Sequence, residues 1–560
     1  MRGATRKLAP MVCVLAVALM VASAAAGRVD RGSALGQAAG GTLLYAGAAD
    51  PTYLDPALVS DGESFRVTKQ IFESLVDLAP GTTRLIPALA TDWDVDRSGR
   101  VWTFTLRRGV TFHDRTPFNA AAVCANFNRW YNFRGPFQDA TATFYYQAIF
   151  GGFKNNESNT LSKPLYSSCR ASGSHTAVIR LTRRSGPFLP SLVLSAFSIQ
   201  SPTAMARWGA NQGELRSGVF YPTGTYAFRH PTGTGAFMFG SWTVGERVVL
   251  NRNPRYWRKV LPRLNRVIIR PISDNTARLQ ALQTGDVNGI DLLPPSLVRN
   301  VSSNSQLKVL NRPAFNVAYV TINNAKPPMN NLNVRKAVAH GLNRAAVVRS
   351  FYEGRGTVAH QFMPPSLFGY EPNVPKYAYN PTRARDFLRR GNCGPPCRIE
   401  FWYPTGVSRP YMPDPKRNFE AFKASLEASG FDVETHSAPW RPDYVKHVNE
   451  GTAGHLNLIG WTGDYADPDN FLGTFFQGFN PQFSERNAQL DRILDRAERE
   501  TNFATRVRLY KQANRLIMAN VIGVPYAHTR PALGFQKRVR GYFTSPIGTD
   551  LFKTVSLGGQ

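Results

Sequence analysis

Hydrophobic and polar positions alternate in short runs over residues 42–46, 93–95 and 101–106, and the last two flank Asp96-Arg97-Ser98-Gly99. Alternation broken by such a turn predicts strands, with residues 93–106 forming a hairpin. Asn119 precedes Ala120-Ala121-Ala122-Val123 and predicts an N-capped helix to about Trp130. Residues 131–175 read as an aromatic, loop-like stretch. Strands are expected again at 237–242, 247–250 and 266–270, entered through Gly233-Thr234-Gly235 as a turn. A helix capped by Asp274 ends at Gly285-Asp286, and 287–293 reads as a strand with turns. Beyond it the pattern predicts a strand at 317–322, helices at 334–342 and 345–351 capped by Asn333 and Asn343, and a helix from Pro381 to Arg390. The last third alternates strands at 398–403, 432–436, 456–461 and 523–528 with helices at 418–429, 487–499 and 505–520. Such alternation predicts an α/β protein.

The first 40 residues follow a different pattern. Arg2, Arg6 and Lys7 precede an apolar run from Met11 to Val21, and Ala22-Ser23-Ala24-Ala25-Ala26-Gly27 offers small-residue cleavage sites. Residues 1–26 therefore read as an export signal, and the apolar run is too short to span a bilayer. Cys13 lies inside that run with Pro10-Met11-Val12 before it, which gives no lipid attachment point. Residues 27–40, rich in Gly, Ala and Ser, read as a flexible lead-in.

The chain is 560 residues long, and 43 % of them are hydrophobic, so apolar material for a large packed interior is ample. Its 67 Lys and Arg against 38 Asp and Glu give +29, of which three charges fall in the signal, leaving +26. No run of five or six like charges occurs, so a nucleic-acid tail is not encoded. Outside the signal stand Cys124, Cys169, Cys393 and Cys397, which three pairings could join. Proximity favours Cys393 with Cys397 and Cys124 with Cys169; His175, six residues beyond Cys169, is the one His within ten residues of any of them, which disfavours a metal site. There is no G-x-S-x-G elbow, no H-E-x-x-H pair and no phosphate loop. Asp464, Asp467 and Asp469 could in isolation serve as acid and base or hold calcium.

The surrounding stretch, Leu458-Ile459-Gly460-Trp461-Thr462-Gly463-Asp464-Tyr465-Ala466-Asp467-Pro468-Asp469-Asn470-Phe471, resembles the signature of extracellular solute-binding protein family 5, the dipeptide- and oligopeptide-binding components of ABC importers. Pro87 to Trp93, Trp102 to Asp114, Gly233 to Phe237, Asn251 to Trp257, Gln283 to Val287 and Val334 to Val338 are similar to further family stretches in the same order. The resemblance implies a type II periplasmic-binding-protein clamshell with a β-rich subdomain inserted in the first lobe. It places lobe I at 41–73, 232–313 and 531–560, the insertion at 74–231 and lobe II at 314–530. It further implies a short peptide ligand, a dipeptide first, delivered to a membrane ABC permease and ATPase complex by an exported monomer that needs no cofactor or nucleic acid and catalyses nothing.

A dipeptide carries an ammonium and a carboxylate, and a buried site must neutralise both. By resemblance Asp464 takes the ammonium and Arg409, in Ser408-Arg409-Pro410-Tyr411-Met412-Pro413, takes the carboxylate, for which a guanidinium fork is suited. Tyr411, Trp461 and Thr462 are expected beside them. Longer oligopeptides, nickel, haem or another solute stay open within the family, and a secreted hydrolase or a polyanion-binding surface protein outside it.

Overall fold

A computed structural model describes residues 40–558, so the export signal and, apart from Gly40, the lead-in lie outside the described residues. Three separate segments of chain build the first sheet. Its seven strands run in the order 237–243, 247–252, 266–271, 42–47, 289–293, 532–536, 307–311. Thr42–Gly47 lies parallel to both Arg266–Pro271 and Gly289–Leu293, while the remaining pairs are antiparallel. Between Gly47 and Phe237 the chain makes a long excursion that contains a four-stranded antiparallel sheet of residues 90–95, 101–106, 176–181 and 166–171. The second large sheet has six strands in the order 356–358, 523–529, 316–322, 456–462, 397–405, 431–439. The chain passes between the two large sheets at Asn311–Asn316 and again at Thr529–Ala532, and the Arg312 N–H donates to the Pro531 carbonyl at 2.9 Å, tying the crossings together. Two lobes, two crossings and an inserted subdomain make a type II clamshell.

A buried ionic cluster braces the first lobe beside one crossing. Arg66, on the helix Gly62–Ile71, pairs with Glu63, Asp291 and Asp550, and Arg312 reaches Asp550 at 2.6 Å. Burial pushes the Asp550 carboxyl up, but Arg312 and Arg66 outweigh it and hold it at about 2. This helix escapes the sequence pattern because eight consecutive residues, Ser64 to Ile71, are buried, charged and polar ones included. Gly233 and Gly235 lie against its C-terminal end: a Cβ on either would come within 2.3 Å of the Ile71 or Gln70 carbonyl oxygen. The Gly-Thr-Gly stretch is thus a packing turn entering the strand Phe237–Thr243.

Most expected elements form with ends shifted by a few residues, and three differences have physical causes. Residues 131–175 are not a loop: they hold the helix Ala140–Phe150, capped by Asp139, and the strand Tyr166–Ala171. Their aromatic residues form a core, with Tyr146 stacked on Phe150 at 4.9 Å and on Phe153 at 5.1 Å. Asn331, not Asn333, caps the helix Leu332–Gly341, its side chain accepting from the Asn333 N–H. The helix expected at 418–429 begins one turn earlier, at Pro415 behind the Asp414 cap. Cys124 is bonded to Cys169 and Cys393 to Cys397, as proximity suggests.

Candidate functional site

Three neighbouring strands of the second sheet, 397–405, 431–439 and 456–462, run in the same direction. Their C-terminal ends open on one edge of the sheet, the edge where α/β folds gather ligand-binding loops. Arg409 follows the first of these strands by four residues and Asp464 the third by two. Topology therefore brings to one edge two residues 55 positions apart in sequence.

The loop that carries Arg409 is held from several sides. Arg409 and Met412 exchange backbone hydrogen bonds at 3.1 and 3.0 Å, the Tyr352 hydroxyl donates to the Tyr411 carbonyl at 3.0 Å, and the Thr529 hydroxyl donates to the Pro410 carbonyl at 2.7 Å. Thr529 ends the strand that leads into the second lobe crossing, so the loop is fastened to the hinge. Tyr411 is buried in the core of the second lobe, its ring against Gly460, where a Cβ would stand 2.4 Å from Cδ2. Only glycine lets this loop lie flat on the strand 456–462. Burial raises the Tyr411 phenol to about 12. Tyr411 thus sits beneath the loop as its support.

Arg409 itself is partly buried, with Cζ 4.2 Å from the centre of the Trp440 ring. Among the described residues no carboxylate pairs with it, and its Nε is buried without an acceptor. Burial, and to a lesser degree Arg441, lower the basicity of the guanidinium, though Tyr411 and, more weakly, Glu63 and Asp61 oppose this from a distance. A desolvated cation without a counterion is costly to hold and strongly favours an incoming anion.

Asp464 presents the opposite charge. The Tyr145 hydroxyl donates to its Oδ1 at 2.9 Å and Asn470 Nδ2 to its Oδ2 at 3.2 Å, while the Asp464 N–H donates to Asn470 Oδ1 at 2.8 Å. Desolvation lifts its carboxyl to about 7, against the opposing pull of Asn470 and Tyr145. Two donors leave acceptor capacity on a carboxylate for an ammonium. Tyr145 belongs to the inserted subdomain, so its bond to Asp464 spans the two sides of the clamshell, as do Arg183 to Glu498 at 3.4 Å and the Gly186 N–H to the Glu498 carbonyl at 2.7 Å.

Trp461 stands beside this group, donating Nε1 to Asn470 Oδ1 at 3.2 Å and packing edge-on against Phe475 at 5.2 Å. Thr462 closes the strand. The sequence reading missed Asn470 and Tyr145 as parts of the site. Asn470 lies within the stretch Leu458 to Phe471, and its amide arranges Trp461 and Asp464 together; Tyr145 lies in the helix Ala140–Phe150, where the sequence pattern predicts a loop. Asn470→Ala is expected to weaken ligand binding by roughly tenfold, by removing one charge-assisted hydrogen bond from Asp464. Calorimetric titration beside the unaltered protein measures it.

Among the described residues no group of three His, Cys, Asp or Glu side chains is arranged to hold a metal ion, and no helix is long and apolar enough to cross a membrane. Asp464, Asp467 and Asp469 serve separately: Asp467 makes a buried two-pronged ion pair with Arg506 at 2.8 Å, and the Asp469 N–H donates to Asp467.

Comparison with known proteins defines the class. Residues 84–483 match the model of the bacterial extracellular solute-binding proteins, family 5. The chain belongs to that family. It is 30 % identical to a heme-binding protein A of Haemophilus influenzae over 93 % of each chain, and 27 % identical to a dipeptide-binding protein of Escherichia coli over 92 % of this chain and 94 % of the other. Among solved structures, a periplasmic binding protein of Helicobacter pylori associated with an ABC transporter, in complex with the peptide STSA, superposes with a TM-score of 0.79 at 27 % identity, over 93 % of this chain and 98 % of that one.

Proposed function

We propose that this chain is the exported substrate-binding component of an ABC importer, that it binds short peptides, dipeptides first, between its lobes, and that it hands them unchanged to a membrane permease driven by an ATPase. Lobe I in this reading comprises 41–73, 232–313 and 531–560, the inserted subdomain 74–231, and lobe II 314–530. The observation that carries it is a pair of groups at one sheet edge that lack an ion-pair partner among the described residues: the desolvated guanidinium of Arg409 and the carboxyl of Asp464. A zwitterion with a carboxylate at one end and an ammonium at the other complements both, and each charge would otherwise remain buried and unpaired. Arg409 holds the carboxylate, Asp464 the ammonium, Trp461 and Thr462 flank the ammonium end, and Tyr411 fixes the Arg409 loop from below. Relatives named for dipeptides, and one solved with a bound peptide, support this choice of ligand. The test is mass spectrometry of small molecules released when the natively purified protein is denatured. Peptides of two to a few residues are expected; a released tetrapyrrole or nickel ion with no peptide would contradict the reading.

A further inference from the structure

The second of the parallel strands, Phe431–Pro439, also ends at this edge, and Trp440 is the first residue beyond it. Its position is tightly defined. Thr405, at the end of the strand that leads to Arg409, is paired with Pro439, so the two loops leave the sheet side by side. Trp440 stacks on Tyr444 at 6.1 Å, and the Tyr444 hydroxyl donates to the Leu458 carbonyl at 2.7 Å, fastening the turn to the strand that leads to Asp464. With the Arg409 Cζ 4.2 Å over the ring, the indole N–H lies within a side chain's breadth of the guanidinium.

Trp440 Nε1 and Arg409 Nε are both buried, and among the described residues neither has an acceptor. Buried donors nearly always find partners, so two orphans on stacked neighbouring side chains call for one acceptor serving both, in a field to which Arg441 adds positive charge and Glu63 and Asp61 add negative charge. A carboxylate has two oxygens and the capacity for several donors, whereas a neutral amide offers only one oxygen. We propose that Trp440 is a second anchor of the ligand's terminal carboxylate, its indole N–H donating to one carboxylate oxygen while the Arg409 guanidinium grips the group, so that the pair distinguishes a free peptide C-terminus from a blocked one. This rests on the reading of the cleft given above.

Trp440→Phe tests it, since phenylalanine removes the N–H while keeping a ring, smaller than the indole, for the guanidinium to stack on. Titration of this variant with the dipeptide Ala-Phe is expected to show a Kd raised by roughly tenfold to a hundredfold, the loss of a hydrogen bond to a charged group. Ala-Phe amide should bind the variant and the unaltered protein with Kd values within about threefold of each other, a differential that loss of packing alone would not produce. A thermal melt of each protein shows whether the fold is retained. If Trp440→Phe binds Ala-Phe as tightly as the unaltered protein while Arg409→Ala does not, the indole is a stacking platform only and the proposal is overturned, leaving the peptide reading intact. If the unaltered protein fails to bind Ala-Phe, or holds the amide equally well, the carboxylate subsite is refuted together with the role of Trp440.

Discussion

Arg409→Ala and Asp464→Ala are each expected to weaken binding of a free dipeptide by about 2–5 kcal/mol, roughly 30-fold to several thousand-fold in Kd, because each leaves one ligand charge buried and unpaired. The two losses differ in kind. An N-acetylated dipeptide has no ammonium, so Asp464→Ala should cost it little more, and an amidated dipeptide has no carboxylate, so Arg409→Ala should cost it little more. Stability should hardly change in Arg409→Ala and should fall modestly in Asp464→Ala, which leaves the Tyr145 and Asn470 donors without their acceptor. Among the described residues Arg409 has no carboxylate partner to lose, and desolvation already disfavours the ionised Asp464. Titration of both variants with the free, acetylated and amidated forms, beside thermal melts, checks the whole pattern.

The pH dependence of binding is the second large effect. Desolvation holds the Asp464 carboxyl of the empty protein at about 7, and an ammonium beside it in the complex must lower that value. Just above pH 7 the carboxylate is mostly ionised and affinity levels off, until the peptide's own ammonium begins to lose its proton near pH 8. Below pH 7 binding has to expel a proton first, so affinity falls by roughly tenfold per pH unit until the lower value of the complex is reached. Between pH 5 and 7 a dipeptide keeps both its charges. Kd values measured across that window should therefore rise as the pH is lowered, with protons released to the buffer on binding. Asp464→Asn should bind weakly and without this slope. A flat profile in the unaltered protein would mean that no ammonium meets Asp464.

What the sequence made legible follows from what local pattern encodes. Single-face alternation and caps such as Asn119, Asp274 and Asn343 each leave a mark in a few consecutive residues, and those elements stand where expected. The helix Gly62–Ile71 left none, because its polar residues are buried through ion pairs that close only in three dimensions, Arg66 with Asp291 and Asp550 above all. The helix of Tyr145 was obscured in another way, by Gly, Asn and Ser in the following loop that outweighed its own aromatic residues. Arg409 and Asp464 were visible only as members of family stretches; that their loops share a sheet edge is a matter of parallel strand order. Trp440 belongs to no recognisable stretch, and its importance arises from an orphaned donor that no pattern of residues can display.

In the proposed mode of binding, the cleft reads both ends of a zwitterionic peptide. Calorimetric titration of the unaltered protein with Ala-Phe, N-acetyl-Ala-Phe and Ala-Phe amide tests it most directly. The free dipeptide is expected to bind tightest, with each blocked form weaker by about 30-fold or more, since each leaves Asp464 or Arg409 without its counter-charge. Equal affinity for all three, or no affinity for any, would contradict it.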